Sequence, residues 1–345
     1  MRLLVLDGNS IINRAFYGIK LLTTRDGRYT NGLYGFLLIL HKLKEELRPD
    51  GIAAAFDLHA PTFRHQEYAD YKAGRKGMPD ELRQQMPVLK EMLTLMGCHV
   101  LEREGYEADD ILGTLAAAAG EQGDECIIAT GDRDSLQLVR EGVTVLLAGT
   151  KMGKPETTVY DVAAIREKYG LSPEQLIDLK ALMGDASDHI PGVPGVGEKT
   201  ALDLMRRYGS LEVIYDDLDS LEIRDSLRDK LRAGRDSAFL SRRLGTVCCD
   251  VPVGRALNDY TLMPVRTAEL TSLLAKLEFF SWIGRLGLDA APPVSAAENP
   301  ESDRAVRVEG GEALPDLLKW IDQTKRLDMT AQAEKGGLAA VAAAF

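Results

Sequence analysis

Residues 2–10 read Arg2-Leu3-Leu4-Val5-Leu6-Asp7-Gly8-Asn9-Ser10. A short apolar run that stops on a carboxylate has the pattern of a buried parallel strand with an acid at its carboxyl end. The pattern recurs downstream. Ile52 to Phe56 is apolar and ends on Asp57, and Cys126-Ile127-Ile128-Ala129-Thr130 runs into Gly131-Asp132-Arg133-Asp134. Between the first two runs, residues 32–47 carry the periodicity of an amphipathic helix stopped by Pro49. Strands alternating with helices predict an α/β fold around a mostly parallel sheet. Ligands of such sheets sit beyond the carboxyl ends of the strands, where three aspartate-bearing ends would converge.

The chain has 345 residues, enough for about two domains. Its 45% hydrophobic and 28% charged residues are those of a globular protein with a sizeable core. No stretch approaches the roughly 20 apolar residues of a membrane span, so no membrane partner is expected. The amino terminus reaches Asp7 without the apolar region or cleavage site of a signal peptide. The four cysteines, Cys98, Cys126, Cys248 and Cys249, show no CxxC spacing. A cytoplasmic, monomeric protein is the expectation. With 42 basic against 53 acidic residues the net charge is −11, which argues against coating nucleic acid by bulk positive charge. Segregated acids and bases would still suit a site that holds metals and grips phosphates.

Acids at strand ends and helix starts are Asp7, Asp57, Glu107, Asp109, Asp110, Asp132, Asp134, Asp185 and Asp188. Asp132 and Asp134 share a side of an extended segment. Glu107 and Asp110 are neighbours on a helix face, and Asp109 joins them only if Glu107 lies at or before the first turn. A single Asp after a strand is most often a cap or turn residue. The combination of EADD, GDRD and GDASD with Asp7 and Asp57 is poorly explained that way. So many like charges need a cation among them. All-oxygen ligands favour Mg²⁺ or Mn²⁺ over zinc, and no His/Cys set competes.

Two segments carry the expected phosphate contacts. Residues 189–208, HIPGVPGVGEKTALDLMRRY, place Gly192, Gly195 and Gly197 ahead of a helix that begins near Glu198 and carries Lys199, Arg206 and Arg207. Glycines let backbone amides approach a phosphate, and the helix start adds positive potential. That is the content of a helix-hairpin-helix, which holds a DNA backbone without reading sequence; a plain turn between helices is the alternative. Residues 223–244 follow with seven basic and three acidic residues, consistent with a second backbone contact. Residues 61–91 carry Arg64, Lys72, Arg75, Lys76, Arg83 and Lys90 among Phe63, Tyr68 and Tyr71. Composition alone suggests a solvated loop. Its place between two acid-tipped strands suggests instead a mobile arch above the site, with Lys72 and Arg75 near a scissile phosphate.

The remaining chain sets the domain plan. After Gly142, VTVLL and TTVY read as edge strands or a hairpin, and 162–244 reads as helical. The expected divisions are a core at 1–170, a DNA-binding subdomain at 171–289, a linker at 290–303 (AAPPVSAAENPESD as its composition) and the start of another domain at 304–345. The apolar ending LAAVAAAF has no stop signal, so the sequence reads as finishing inside that last domain.

DGNS near the start, FD at 56–57, YKAGR at 71–75, YEADD at 106–110, TGDRD at 130–134 and GDASDHIPGVPGVGEKTA at 184–201 together resemble the 5′-nuclease family of bacterial DNA polymerase I, within the flap-endonuclease superfamily. The resemblance covers about residues 1–290. It implies a PIN-like or resolvase-like sheet with a helical arch and a helix-hairpin-helix subdomain. It implies Asp7, Asp57, Glu107 and Asp109 as a tight metal cluster with Asp110 close by, and Asp132, Asp134, Asp185 and Asp188 around a second metal, partly through water. Lys72 and Arg75 match the basic arch residues. Arg64, Lys76, Gly192, Val193, Gly195, Val196, Gly197 and Lys199 are the expected DNA contacts, and the hairpin is of the kind that often holds K⁺. Implied substrates are DNA with a 5′ flap, a nick or an RNA-primed 5′ end, with a polymerase domain in cis in a longer chain. The implied activity is two-metal phosphodiester hydrolysis, serving primer removal and repair.

Two positions depart from the family pattern. Asn13 stands where many relatives carry a stacking aromatic, with Phe16 and Tyr17 as the nearest substitutes. Asp328-Met329-Thr330 stands where an active proofreading domain has Asp-x-Glu, so that part is expected to be degenerate. A binding module without catalysis would have lost acids that this chain keeps. A small four-acid ribonuclease has no use for the glycine hairpin or the basic segment. A P-loop ATPase is excluded, because GxxxxGK[ST] is absent.

Overall fold

The amino-terminal run is β1 (Arg2–Asp7), the centre of a six-stranded sheet. Leu3, Leu4, Val5 and Leu6 are fully buried, and their period-two alternation sends them to opposite faces. Leu4 and Leu6 pack with Ile12, Phe36 and Ile52, while Leu3 and Val5 pack with Ile111, Leu112 and Ile128. A strand buried on both faces needs this uninterrupted apolar composition. The computed structural model describes residues 1–75, 77–151, 154–288, 328–334 and 337–343. They fall into two units, Met1–Asp289 and Ala290–Phe345.

The other strands of the first unit are β2 (Gly51–Ala55), β3 (His99–Leu101), β4 (Glu125–Thr130), β5 (Val143–Lys151) and β6 (Lys154–Tyr160), in the order β3-β2-β1-β4-β5-β6. All neighbours are parallel except β5 and β6, which form an antiparallel hairpin. The hairpin alternative for 143–160 is thus the one adopted, and of its two strands β6 lies at a sheet edge while β5 pairs on both sides. β3 went unread because it is three half-buried residues with no apolar run of its own. The chain winds from β1 to one side and then returns to β4 on the other. This reversal opens a crevice beyond the carboxyl ends of β1 and β4.

Helices cover both faces. Gly8–Gly18, Asn31–Leu47 and Gln85–Leu95 supply much of one layer, and Ala108–Gln122 much of the other. Here the structure corrects the extent of the arch. Leu82, Leu89 and Met92 are fully buried, so the end of the 61–91 segment belongs to the core rather than to a mobile arch. Its beginning is held too, by the short helix Phe63–Glu67. Between residue 66 and Asp80 the crossing is mostly exposed, with Tyr71 buried, and within it Lys76 lies outside the described residues.

A third core gathers helices Gln175–Met183, Glu198–Tyr208, Asp225–Ala233 and Arg235–Gly245 around Leu179, Leu182, Leu204 and Leu231. Val193 and Val196 of the glycine-rich loop insert into it. No helix among the described residues is long and apolar enough to cross a membrane. The second unit contains the antiparallel pair β7 (Asp328–Glu334) and β8 (Gly337–Ala343), which places Asp328 and Thr330 on a strand. The linker at 290–303 and residues 304–327 lie outside the described residues.

Candidate active site

Strand ends and helix starts carry the acids to one crevice. Asp7 ends β1 and caps the next helix, its Oδ1 accepting from the Ser10 amide at 2.9 Å and its Oδ2 from Thr130 Oγ1 at 2.6 Å. Asp57 follows β2 and accepts from the Ala108 amide and from Asn9 Nδ2, both at 2.7 Å. Glu107 is the N-cap of Ala108–Gln122, with extended backbone, the placement that lets Asp109 face the same crevice. Asp132 caps the short helix Arg133–Leu138 through the Asp134 amide at 2.9 Å. A cavity of about 290 Å³ is lined by Asp7, Asp57, Glu107, Asp109, Asp132, Asp134 and Asp188. Asp185 does not line it. It connects to the set through Lys180, whose ammonium pairs with both Asp134 and Asp185, the latter at 2.9 Å.

Basic side chains stand among these acids. Lys72 Nζ lies 2.7 Å from Glu107 Oε1, and Tyr71 donates to Glu107 Oε2 at 3.1 Å. Arg75 pairs with Asp188. Ion pairs of this kind leave Asp7, Asp57, Asp109 and Asp132 without a cationic partner among the described residues. Burial pushes the Asp7 carboxyl up to about 6 despite its bonds from Thr130 and Ser10, with Asp57 and Asp132 adding repulsion. Burial and then the Asp7 charge hold Asp109 well above the ordinary carboxylate range. Asp134 is pushed up to about 6 by burial, with Lys180 opposing. Burial acts upward on Asp185 as well, but Ser187 and Lys180 outweigh it and bring it to about 2. The crevice therefore concentrates negative charge that folding alone does not balance.

A hard divalent cation fits this arrangement. Asp109 Oδ1 is buried with no hydrogen-bond partner, an uncommon state for a carboxylate oxygen. The available donors are oxygens, and no histidine or cysteine lines the cavity. Among the described residues no three acids already converge at ligand spacing. Lys72, Arg75 and Lys180 occupy part of the space between them, so cation binding entails local side-chain rearrangement.

Two of the expected residues are engaged within the fold at the site. Asp110 is fully buried and its oxygens are spent: Oδ1 accepts from Arg64 Nη2 and the Cys248 amide, Oδ2 from Arg64 Nη1 and the Glu107 amide. It completes a capping box rather than facing the cavity. Arg64 is 2% exposed and also donates to the carbonyls of Leu244 and Thr246, so it clamps three segments together at the wall of the cavity.

In the hairpin, Gly192 and Gly195 have φ of 62° and 80°. The Gly192 amide is bound to Ser241 Oγ at 2.9 Å, and the amides of Val193 and Val196 bond within the loop and to Leu182. Gly192, Val193 and Val196 therefore shape the loop from within and do not present donors. Gly195, Gly197 and Lys199 are exposed, and Lys230 Nζ reaches the Gly195 carbonyl at 3.3 Å. The basic stretch 223–244 is more neutral than its count suggests, because Arg228, Arg232, Arg242 and Arg243 pair with acids.

Sequence reasoning missed Lys180, Tyr71, Thr130 and Asn9 as members of the site. Asn9, Tyr71 and Thr130 lie inside the motifs DGNS, YKAGR and TGDRD, and Lys180 carried a signal as a charge inside the apolar run LKALM. Asn13 lines the cavity, Phe16 is buried, and Tyr17 is 71% exposed with its ring edge-on to that of Phe16.

Comparison with known proteins gives a consistent result. Residues 2–170 match the family model for the 5′-3′ exonuclease N-terminal resolvase-like domain, and residues 171–268 match that for the 5′-3′ exonuclease C-terminal SAM fold. DNA polymerase I of Caldicellulosiruptor bescii is 46% identical over 288 residues, covering 84% of this chain and 34% of that protein. DNA polymerase I of Bacillus subtilis is 40% identical over 290 residues, covering 84% and 33%. The chain thus spans about a third of the length of these relatives. Among solved structures, the T5 D15 protein crystallised with metal ions shares the fold at a TM-score of 0.59 and 21% identity, over 80% of this chain and 99% of that one. The catalytic core of Rad2 in complex with DNA does so at 0.52 and 18%, over 80% and 86%.

Proposed function

Since the chain belongs to the 5′-3′ exonuclease family, we propose that it is a divalent-metal-dependent nuclease that hydrolyses DNA phosphodiesters near 5′ ends, at flaps, nicks and RNA-primed termini. The observation that carries this reading is one cavity lined by seven carboxylates, four of them at or beyond the ends of three strands, two at the start of Ala108–Gln122 and Asp188 past the helix Gln175–Met183, rimmed by Lys72 and Arg75. In this reading Asp7, Asp57, Glu107 and Asp109 hold one Mg²⁺ or Mn²⁺, and Asp132, Asp134, Asp185 and Asp188 serve a second. Bound divalent ions supply an activated water and stabilise the leaving oxygen.

This chain's residues do the rest. Thr130 and Asn9 orient Asp7 and Asp57 through hydrogen bonds. Lys72 and Arg75, paired here with Glu107 and Asp188, would turn to the scissile phosphate when released from those carboxylates and offset charge on its oxygens. The exposed amides of Gly195 and Gly197, with Lys199 and Lys230, hold the duplex backbone, and K⁺ at the hairpin would add charge there. In this reading Tyr17, 71% exposed on the helix that Asp7 caps, stacks on a terminal base. Residues 1–170 are the nuclease core and 171–289 the DNA-binding subdomain in this proposal. In a longer chain the activity would act beside a polymerase domain, removing primers and displaced strands in replication and repair.

A 5′-labelled flap duplex tests the proposal, with Mg²⁺ against EDTA and wild type against Asp132→Ala. Metal-dependent release of a short 5′ product, abolished by the substitution while binding persists, is the expected outcome. Binding without cleavage in either Mg²⁺ or Mn²⁺ overturns the catalytic reading.

A further inference from the structure

Lys180 projects from the helix Gln175–Met183 with its side chain only 10% exposed. Its ammonium touches acids from separate parts of the chain: Asp134 beyond β4, and Asp185 just past the end of its own helix. The aliphatic stem runs beside Gly245, where even an added Cβ would meet Cδ only at an ordinary contact of 3.5 Å. This is a built position for one positive charge. Burial works against the ammonium, and the two carboxylates more than compensate, holding it firmly protonated. Across the cavity the first set is less occupied, with Glu107 its one member that pairs with cations, Lys72 and Arg64. No ion pair among the described residues reaches Asp7, Asp57, Asp109 or Asp132, and Asp109 Oδ1 is buried without a partner.

We propose that Lys180 is the resident cation of the Asp134–Asp185 pair, so that a divalent ion enters the second position only by displacing its ammonium. This deepens the metal-site reading above and rests on it. A compact ammonium held between two carboxylates competes directly for the oxygens a divalent ion requires. The two cation positions are therefore unequal in the DNA-free chain. The side with the unpartnered Asp109 oxygen fills first, and Lys180 keeps the other weak.

Mn²⁺ binding to the full chain without DNA, followed by the electron paramagnetic resonance of the free ion, tests the assignment. Wild type should bind one Mn²⁺ tightly and a second weakly. Lys180→Met, which keeps much of the stem and removes the charge, should tighten the second site about tenfold or more. Lys180→Arg, which keeps the charge, should stay nearer to wild type. An unchanged or weakened second site in a folded Lys180→Met overturns the proposal. If wild type binds no Mn²⁺ at all, the metal-site reading itself fails. Should Lys180→Met not fold, the ¹⁵N resonance of the Lys180 ammonium in wild type decides. It should move as Mg²⁺ fills the second site, and an ammonium unmoved at Mg²⁺ saturation overturns the displacement.

Discussion

Arg64 grips Asp110 with both guanidinium arms, Nη1 to Oδ2 at 2.8 Å and Nη2 to Oδ1 at 2.7 Å, where neither side chain meets more than a trace of solvent. The same guanidinium donates to the Leu244 carbonyl at 2.9 Å and the Thr246 carbonyl at 2.8 Å. One side chain thereby ties the base of the basic segment, the first turn of Ala108–Gln122 and the end of Arg235–Gly245. Planar, two-armed geometry is what an arginine offers and a lysine does not.

Arg64→Ala should therefore cost about 3–5 kcal/mol, because it leaves a buried carboxylate and two carbonyls unpaired. Arg64→Lys should recover little of the loss. Urea denaturation without DNA or metal checks this, and a wild-type midpoint for Arg64→Ala would contradict the clamp role.

The acids predict an unusual pH dependence in EDTA. Asp7 and Asp134 titrate at about 6 in the folded chain and Asp109 is also raised, against 3.8 as the ordinary value. Between about pH 4 and 6 the folded chain thus binds more protons than the unfolded one, so this contribution falls as pH rises through 6. Asp185, brought down to about 2, acts oppositely but only below about pH 4. The metal-free melting temperature should drop by roughly 5 °C from pH 5 to 7.5. Asp7→Asn should reduce the drop, and Mg²⁺ should restore more stability at pH 7.5 than at pH 5. A melting temperature that rises across this range in EDTA would count against the cluster's charge balance.

The hairpin offers a matched pair of substitutions. A Cβ at Gly192 would collide with the backbone of Gly184 and Met183, at a φ of 62° that side chains rarely adopt, whereas a Cβ at Gly197 meets nothing within 4 Å. Gly192→Ala should destabilise the hairpin by about 1–3 kcal/mol and weaken duplex binding. Gly197→Ala should melt much as wild type, its Cβ standing only in the path of the phosphate. Urea midpoints separate the two, and wild-type affinity of both variants for a labelled flap duplex, by fluorescence anisotropy, would remove the hairpin from the DNA-binding surface.

Much of this arrangement was legible because it follows from short-range rules. Leu3 to Leu6 ending on Asp7 specifies a buried strand with an acid at its tip, and Cys126 to Thr130 does the same for Asp132 and Asp134. What stayed hidden depends on side-chain pairing between distant residues. Composition shows Arg64 and Arg243 as positive charges, but not that the first meets Asp110 or that the second meets Glu67. Burial of Leu89 and Met92 likewise turns a basic, polar-looking stretch into a core helix. Lys180 escaped notice because its partners lie 46 residues upstream in Asp134 and across a helix end in Asp185.

Lys72 combines two properties that a pair of substitutions can separate. Its ammonium contacts Glu107, and its backbone has a φ of 56°, a left-handed conformation that costs a residue with a Cβ about 1–2 kcal/mol. The amide of that strained residue donates to the Asp188 carbonyl at 3.0 Å, so the conformation is anchored to another member of the acidic site. Lys72→Ala and Lys72→Gly both remove the charge and should lower the single-turnover cleavage rate by about 10²–10³-fold with flap binding largely kept. Only glycine relieves the backbone, so Lys72→Gly should be more stable than Lys72→Ala by about 1 kcal/mol. Unfolding midpoints alongside quenched-flow rates test both halves. Equal stability would mean that the left-handed turn is not maintained in solution, and an undiminished rate in both variants would take Lys72 out of the reaction.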